Sequence, residues 1–275
     1  MMSLVTSAAT KKKDTEWNAA DYAANSAAQQ SWARELITRL ALHGDEHVLD
    51  VGCGDGRVTA EIARVLKNGG VTGIDSSRQM IEFARETFPR DKHPNLDFQV
   101  MDARRIMLDR RFDIVFSSSV LHWVDDHPAF LRGASACLRP GGRLVVSCGG
   151  KGNAQDVFLA LRPELRRKHW SKYFRKLEKP YFFHAPGDYQ KWLPGFGFAP
   201  RHIGLAPKDA VYDRPEKFVA WFRTTWLPYT QCVPKALREE FINAVAERYL
   251  AKHPPDAEGR VRVRMVRLEI DAVKI

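Results

Sequence analysis

The sequence has few residues that would cross-link the chain covalently or hold it in a membrane. Its four cysteines are scattered and form no C-x-x-C pair, which argues against a structural zinc site or a disulfide framework. No uninterrupted apolar run approaches the roughly 20 residues that a membrane-spanning helix requires. The N-terminal stretch MMSLVTSAATKKKDTE lacks the order of a signal peptide, because its lysines follow a weak apolar stretch. We therefore expect a cytoplasmic protein with reduced thiols.

The composition is that of an ordinary globular protein with an excess of positive charge. Of the 275 residues, 44% are hydrophobic and 28% are charged, so the chain can bury a sizeable core. Lys and Arg number 43 against 33 Asp and Glu, which gives a formal charge of +10. Such an excess either keeps the protein soluble or favours an acidic partner. We expect a flexible tail over residues 1–16 and one domain over residues 17–275.

Strands and helices alternate between about residues 40 and 150. The predicted strands are HVLDVG, VTGID, LDFQVMD, FDIVFSSSV and RLVVSCGG. Helical stretches separate them, and the one that begins near His127 is expected to end at Pro140-Gly141-Gly142. This alternation predicts βαβ units, and hence a parallel sheet with helices on both faces.

After Gly150 the alternation breaks down. Residues 153–179 are expected to be helical and very basic, APRHIGLAP to be a sixth strand, and residues 214–252 to be helical and aromatic. The alternating end of the chain, VRVRMVRLEIDAVKI, predicts a last strand. We expect a core of about 40–150, 195–212 and 260–275, and a helical lid of about 151–194 and 213–255.

The stretch HVLDVGCGDG places three glycines directly after the first strand, where ligands bind in open α/β sheets. These glycines are Gly52, Gly54 and Gly56. A dinucleotide motif, G-x-G-x-x-G, would need its third glycine at position 57, which is Arg57. Carboxylates at Asp50 and Asp55 would also repel a diphosphate. No G-K-[ST] follows, so the loop favours a ligand that carries positive charge.

The ends of the next three predicted strands also carry polar residues. Asp75 ends the second strand and is able to accept hydrogen bonds from both hydroxyls of a ribose, or to cap the following helix. Asp102 and the Ala103 amide follow the third strand, where they would face an adenine. Small residues follow the fourth strand and lead to His122 and Trp123.

Taken together, DVGCGDG, GIDSS, MDA and LHWV resemble the class I S-adenosylmethionine-dependent methyltransferases. The resemblance implies an α/β fold, a Rossmann-like doubly wound seven-stranded sheet with the last strand antiparallel. It also implies S-adenosylmethionine as the cofactor. The cofactor-binding residues expected from it are Tyr22, Asp50, Gly52, Cys53, Gly54, Asp75, Ser76, Met80, Asp102, Ala103 and Ser118. Cys53 has no assigned chemistry, and core packing is the alternative role for Met80.

The outer segments resemble the carboxyl methyltransferases of trans-aconitate, juvenile hormone acid and malonyl carrier protein. The helix that carries Tyr22 and Gln29, the LHWV motif and the aromatic stretch WFRTTWLPYTQ support this resemblance. It implies that Gln29 and Trp123 hold the carboxylate of a small or lipid-like acid. The expected catalytic residues are therefore Gln29, Trp123 and His122, and the substrate-binding residues are Gln29, Trp123, Arg223 and Trp226. No metal ligand is expected.

Several alternatives remain open from the sequence. The alternative function is that of a natural-product methyltransferase that acts on a hydroxyl, nitrogen or carbon with His122 as the base, although a scaffold role is preferred for His122. The chain would be a non-catalytic adenosylmethionine-binding regulator if it bound the donor without turnover. The basic segment 162–179 is either a solvated helix face or a surface for an acidic partner. An acyl carrier protein is one such partner, whereas no RNA-binding signature supports a nucleic acid.

Overall fold

A seven-stranded sheet forms the centre of the molecule in the computed structural model, which describes residues 19, 21 and 27–275. The strands are β1 (His47–Val51), β2 (Gly70–Asp75), β3 (Leu96–Val100), β4 (Phe112–Ser118), β5 (Leu138–Gly149), β6 (Phe198–Tyr212) and β7 (Val261–Lys274). Their order is β3-β2-β1-β4-β5-β7-β6. β1 to β5 pair in parallel, whereas β7 is antiparallel to both of its neighbours. The expected sheet with an antiparallel last strand is confirmed.

Ten α-helices accompany the sheet in the described part of the chain. They are α1 (Ala27–Leu40), α2 (Arg57–Val65), α3 (Arg78–Thr87), α4 (His127–Cys137), α5 (Gln155–Arg166), α6 (Lys168–Phe174), α7 (Pro186–Trp192), α8 (Pro215–Thr225), α9 (Leu227–Thr230) and α10 (Arg238–Lys252). Short 3₁₀ helices lie at Ala103–Arg105, Leu121–Trp123, Leu193–Phe196 and Lys235–Leu237. Among residues 19, 21 and 27–275, none of the helices has the length and apolar character to cross a membrane.

Apolar helices cover both faces of the sheet, as the alternation predicts. Leu36 of α1, Ile62 of α2 and Ile81 of α3 belong to the core on one face. Phe130 of α4 and Leu193 belong to the core on the other face. Each such buried side chain contributes about 1.5–3 kcal/mol relative to an exposed one. The two apolar layers hold the five parallel strands as one unit, so their carboxyl ends form a common edge.

A third, aromatic core joins the later helices to the start of β7. It includes Trp170, Phe218, Trp221, Phe222, Trp226 and Tyr249. The basic helices α5 and α6 therefore have an apolar inner face, and Trp170 packs edge-on against Phe241 with ring centroids 5.4 Å apart. The buried Glu164 carboxylate forms ion pairs with Arg167 and Arg248, whose side chains reach solvent. The division of these helices into a movable lid stays a prediction.

Three expected boundaries differ from the structure. The helix α4 ends at Cys137, because residues 138–142 already belong to β5 and Leu138 pairs with Phe112. The basic helix expected over residues 153–179 is divided, since Arg167 adopts an extended conformation between α5 and α6. The stretch 214–252 is divided into α8, α9 and α10, with Pro228 in the first turn of α9 and Pro234 before a 3₁₀ helix.

Candidate functional site

A cleft of about 470 Å³, open to solvent, lies at the carboxyl edge of the sheet between β1 and β4. The chain leaves β1 towards β2 on one side and returns as β4 on the other, so this is the point where strand order reverses. Six predicted residues line it: Gln29, Asp50, Gly52, Cys53, Gly54 and Ser118. Gln30, Asp55 and Ser119 also line it and are absent from the predicted set of binding residues.

The glycine loop, residues 52–56, has a left-handed backbone conformation, which favours glycine, at Gly52 and Gly54. Gly52 has a φ of +77°, and a Cβ there would lie 2.2 Å from the side chain of Val120. Gly54 has a φ of +54°, and a Cβ there would project into open space with no atom within 4 Å. Gly52 therefore permits close packing of the loop, whereas Gly54 leaves room in the cleft for a ligand.

The amides at the start of the glycine loop are engaged within the protein. Gly52 and Cys53 both donate to the carbonyl of Ile74, at 2.7 and 3.0 Å. The Gly54 amide donates to Asp75 Oδ2 at 3.1 Å. A diphosphate-binding loop instead presents its amides to the ligand. The loop is thus built for a ligand other than a dinucleotide.

Three carboxylates surround the loop and make this end of the cleft acidic. Asp50 is buried and accepts a 2.7 Å hydrogen bond from the Thr59 hydroxyl. Burial raises the pKa of Asp50 to about 7 despite that bond, and the nearby charge of Asp75 acts in the same direction. Burial also raises the pKa of Asp75 and of Asp55. A cationic ligand would favour the ionised form of these groups and relieve their burial cost.

Asp75 does not cap the following helix directly. Ser77 is the N-cap of α3, and its side chain accepts from the Met80 amide. Asp75 Oδ1 accepts from the Ser77 amide at 2.8 Å, while Oδ2 accepts from Gly54. The carboxylate thus ties the loop after β2 to the glycine loop and keeps lone pairs for further donors. Ser76 is exposed beside it, and Met80 is buried at 3% exposure.

Asp102 and Ala103 lie at the carboxyl end of β3, next in line along the edge. Asp102 is the N-cap of the 3₁₀ helix that begins at Ala103, and it forms a close ion pair with Arg104 at 2.6 Å. Burial acts to raise the pKa of Asp102, but the hydrogen bonds from Arg104 outweigh it and lower the pKa. Asp102 is therefore ionised at neutral pH and half-buried, at the position predicted for an adenine contact.

Two buried polar atoms in the cleft have no hydrogen-bond partner among the described residues. They are Gln29 Oε1 on α1 and Ser118 Oγ at the end of β4. Leaving a buried acceptor or hydroxyl unsatisfied costs about 1–3 kcal/mol. Their presence in the same cleft indicates a polar ligand that completes these bonds. Tyr22, the remaining predicted residue of this region, lies outside the described residues.

His122 is held as part of the scaffold of the cleft. Its Nδ1 accepts from the Gly149 amide at 3.2 Å, so the neutral ring carries its proton on Nε2. Burial, followed by the charge of Arg267 and the neighbouring His127, lowers the pKa of His122 to about 3. Neither ring nitrogen then has a free lone pair at neutral pH.

Trp123 is half-buried beside the cleft, in the 3₁₀ helix that follows Val120. Its ring packs edge-on against Tyr181, with centroids 4.9 Å apart. The turn is supported from below by His127, whose Nε2 lies 2.8 Å from the Leu121 carbonyl. Of the described residues, those that line the cleft include Val120, three residues earlier, but not Trp123.

The structure places the two remaining predicted substrate residues away from the cleft lining. Trp226 is 4% exposed and stacks on Phe222 inside the aromatic core, so packing accounts for it. Arg223 pairs with Asp21 at 3.2 Å and is partly exposed. The cation therefore has an acidic partner within the fold, which is one of the roles considered for it.

Sequence reasoning missed Arg267, a buried cation on β7. Its guanidinium donates to Ser119 Oγ at 3.0 Å and to the Ser147 carbonyl at 2.7 Å. A signal for it was present in VRVRMVR. In a strand of period two, Arg267 shares its phase with the buried residues Val261 and Met265 rather than with exposed Arg264.

The four cysteines are free thiols. Burial raises the pKa of the Cys53 thiol well above its usual range, so this residue acts as apolar lining rather than as a nucleophile. Across the described ranges, no group of three or more His, Cys, Asp and Glu side chains is arranged to hold a metal ion.

Known proteins share sequence or fold similarity with this chain. A methyltransferase domain family matches residues 48–142. An uncharacterized methyltransferase of Schizosaccharomyces pombe is 32% identical over 83% of this chain and 88% of its own length. A trans-aconitate 2-methyltransferase of Agrobacterium fabrum is 29% identical over 94% of this chain and 99% of its own. A Bacillus halodurans methyltransferase structure has a TM-score of 0.60 and 21% identity, covering 89% and 99% of the two chains.

The sheet order and the acidic glycine loop define the class I, S-adenosylmethionine-dependent methyltransferases. The chain belongs to this methyltransferase family and resembles its trans-aconitate branch. It is an enzyme whose cofactor is S-adenosylmethionine. The residues present fit that cofactor, because the open space at Gly54, the unpartnered Ser118 hydroxyl and the three carboxylates suit a polar cationic ligand.

Proposed function

We propose that this enzyme methylates the carboxylate of a small organic acid, of which trans-aconitate is the first to test. The observation that carries the proposal is the character of the cleft's acceptor side. It offers an amide group at Gln29 and a hydroxyl group at Ser119, while His122 is engaged through Nδ1. Such a side fixes the position of an acceptor that is already a nucleophile.

A carboxylate meets this requirement without a base. Its reference pKa is about 4, so it is ionised at neutral pH and needs only donors that hold it in line. A hydroxyl acceptor would need a group that removes its proton. The low pKa of His122, about 3, and its bond to Gly149 weigh against that role. The identities of 26–29% to trans-aconitate 2-methyltransferases over 94% of the chain support the same acceptor class.

We assign the cofactor to the side of the cleft that carries the carboxylates. Asp75 would accept from the ribose hydroxyls, Asp102 would face the adenine, and Asp50 would lie nearest the positive charges of the methionine part. Gly52 and Gly54 would let the backbone approach it, with Cys53, Ser76, Met80, Ala103 and Ser118 around them. When bound, the cofactor supplies an activated methyl group on a sulfonium. The protein keeps this group and the acceptor collinear and away from bulk water.

The acceptor side is assigned to Gln29 and Trp123. Gln29 lines the cleft, and the NH₂ group of its side chain would donate to a carboxylate oxygen, whereas its unpartnered Oε1 is an acceptor and needs a separate donor. The Trp123 indole is a donor only, and it lies in the turn that follows Val120. Val120 itself lines the cleft. Each would hold one carboxylate oxygen. Arg223 and Trp226 have structural partners and are left without a direct role.

The test is transfer of labelled methyl groups from S-adenosylmethionine to a panel that contains trans-aconitate, fatty acids, phenols and amines. We expect label in a base-labile product from an acid, because methyl esters hydrolyse in base whereas methyl ethers and methylamines do not. A His122→Asn variant should keep the rate of the chemical step. Label in phenols or amines alone, with loss of turnover in His122→Asn, would refute the carboxylate assignment. Donor binding without transfer to any compound would instead favour a regulator.

A further inference from the structure

Ser119 occupies an unusual position in the wall of the cleft. It follows β4 directly and has a φ of +65°, a region that residues other than glycine rarely adopt. Its amide donates to the Ser147 carbonyl at 2.7 Å, and its side chain lines the cleft. Strained residues of this kind persist where the surrounding contacts enforce them, often at functional sites.

Arg267 is the group that holds Ser119 in place. Its side chain is 3% exposed, and Nη2 donates both to Ser119 Oγ and to the Ser147 carbonyl. Nε lies 3.3 Å from Ser147 Oγ, and the guanidinium sits 5.0 Å from the centre of the Trp32 ring. Arg267 thus connects the ends of β4 and β5 with α1, the helix that carries Gln29.

The direction of the hydrogen bond between the two residues follows from their chemistry. A guanidinium is a donor only, so Ser119 Oγ accepts from Arg267. The hydroxyl proton of Ser119 has no acceptor among the described residues. A hydroxyl that accepts from a cation is also a stronger donor, because such bonds polarise one another. Ser119 is therefore a polarised donor in the cleft wall.

We propose that Ser119 and Arg267 form the pair that selects an anionic acceptor, with Ser119 donating to the acceptor carboxylate and Arg267 behind it supplying buried positive charge. This rests on the proposed function, because it assigns the anion to the acceptor. Gln29 lies three residues before Trp32 in α1, so the side chain that Arg267 contacts and Gln29 are on the same face of that helix. Burial is the first cause of the low pKa of His122, and the positive charge of Arg267 is the second. The charge of Arg267 therefore acts on groups next to the cleft.

The test compares Ser119→Gly, Arg267→Met and the double variant with trans-aconitate as acceptor. Glycine removes the hydroxyl and adopts a φ of +65° readily, so Ser119→Gly separates the hydroxyl from the strain. We expect KM for trans-aconitate to rise about 10–100-fold in either single variant, the loss typical of a charge-assisted bond. The Kd for S-adenosylmethionine should stay unchanged. The double variant should be no worse than the worse single variant, because the two residues act in series.

Two controls keep the result interpretable. Arg264→Met removes the same charge from an exposed position on the same strand and should leave KM unchanged. Arg267→Lys keeps the charge with fewer donors, so it should fold if Arg267→Met does not and should show a smaller rise in KM. A second readout is the ratio of inhibition constants for an acid and its neutral amide, which should fall towards one in Arg267→Met.

The outcomes separate this pair from the proposed function. Wild-type enzyme that forms the ester, with KM unaltered in Ser119→Gly and Arg267→Lys, would overturn the pair and leave the function standing. An equal loss of donor and acceptor binding would show that the pair supports the fold, which also overturns the inference. Wild-type enzyme that forms no base-labile product from any acid refutes the proposed function, and the pair is then refuted with it.

Discussion

Replacing Asp50 with asparagine should stabilise the ligand-free enzyme at neutral pH, although it removes a residue that we assign to the donor site. Asp50 is 2% exposed, and Thr59 is the side chain that donates to it. Burial raises its pKa from 3.8 to about 7. The difference between these pKa values corresponds to about 4 kcal/mol between the ionised and neutral forms. Asparagine keeps an acceptor for Thr59 without the charge.

The effect depends on pH in a defined direction. The folded protein keeps the Asp50 proton up to about pH 7, whereas the unfolded chain releases it near pH 3.8, so the folded state binds more protons between those values. Stability contributed by this group therefore falls as the pH rises through that window. We expect the advantage of Asp50→Asn over wild type to grow by about 2–3 kcal/mol between pH 5 and pH 7 and then to level off.

The assay is urea denaturation of both proteins between pH 5 and pH 8, followed by circular dichroism. Asp109→Asn, a substitution at an exposed position, is the matched control. S-adenosylmethionine should reverse the order of stability, because its positive charge favours ionised Asp50 and stabilises wild type more than the variant. If the difference in unfolding free energy between Asp50→Asn and wild type stays constant or shrinks from pH 5 to pH 7, the raised pKa of buried Asp50 is refuted.

Four further substitutions divide the site into its parts. Gln29→Ala should raise KM for the acid and spare the calorimetric Kd for the donor, because the NH₂ group of Gln29 would hold the carboxylate of the acid. Equal effects on both would contradict this division. Asp75→Ala should weaken donor binding by about 1.5–3 kcal/mol, as measured by calorimetry, since the ribose hydroxyls lose a charged acceptor; unchanged affinity would place the ribose elsewhere. Gly52→Ala should unfold the glycine loop or the protein, because its Cβ would lie 2.2 Å from the Val120 side chain, whereas Gly54→Ala should fold and lose affinity for the donor. Thermal denaturation measures the first effect and calorimetry the second. Normal donor binding by Gly54→Ala would count against a ligand in the space beside Gly54.

The sheet was predictable because its signals are local. The parallel strands coincide with apolar runs that polar or glycine residues follow, and β1 and β2 end at Val51 and Asp75 as those runs indicate. The boundary at Pro140-Gly141-Gly142 was wrong for a non-local reason. These residues read as a helix stop, but the pairing of Leu138 with Phe112 draws them into β5. The sequence alone holds no sign of that partner.

The site divides in the same way. Gln29, Asp50 and the glycines lie in the cleft because the motif and the strand ends place them there. The role of Ser119 depends instead on Arg267, which is 148 residues away in sequence. It also depends on the positive φ of Ser119, which no local sequence pattern predicts. Trp226 and Arg223 sit in an aromatic stretch that suggested a pocket. Their partners Phe222 and Asp21 are fixed only by tertiary packing.

A crystal structure with adenosylhomocysteine and trans-aconitate tests the central assignment most directly. We expect the ribose hydroxyls on Asp75 beside the glycine loop, and a carboxylate of the acid within hydrogen-bond distance of Gln29 and Ser119. A nucleoside bound away from residues 52–56, or an acid that touches neither Gln29 nor Ser119, would contradict the account.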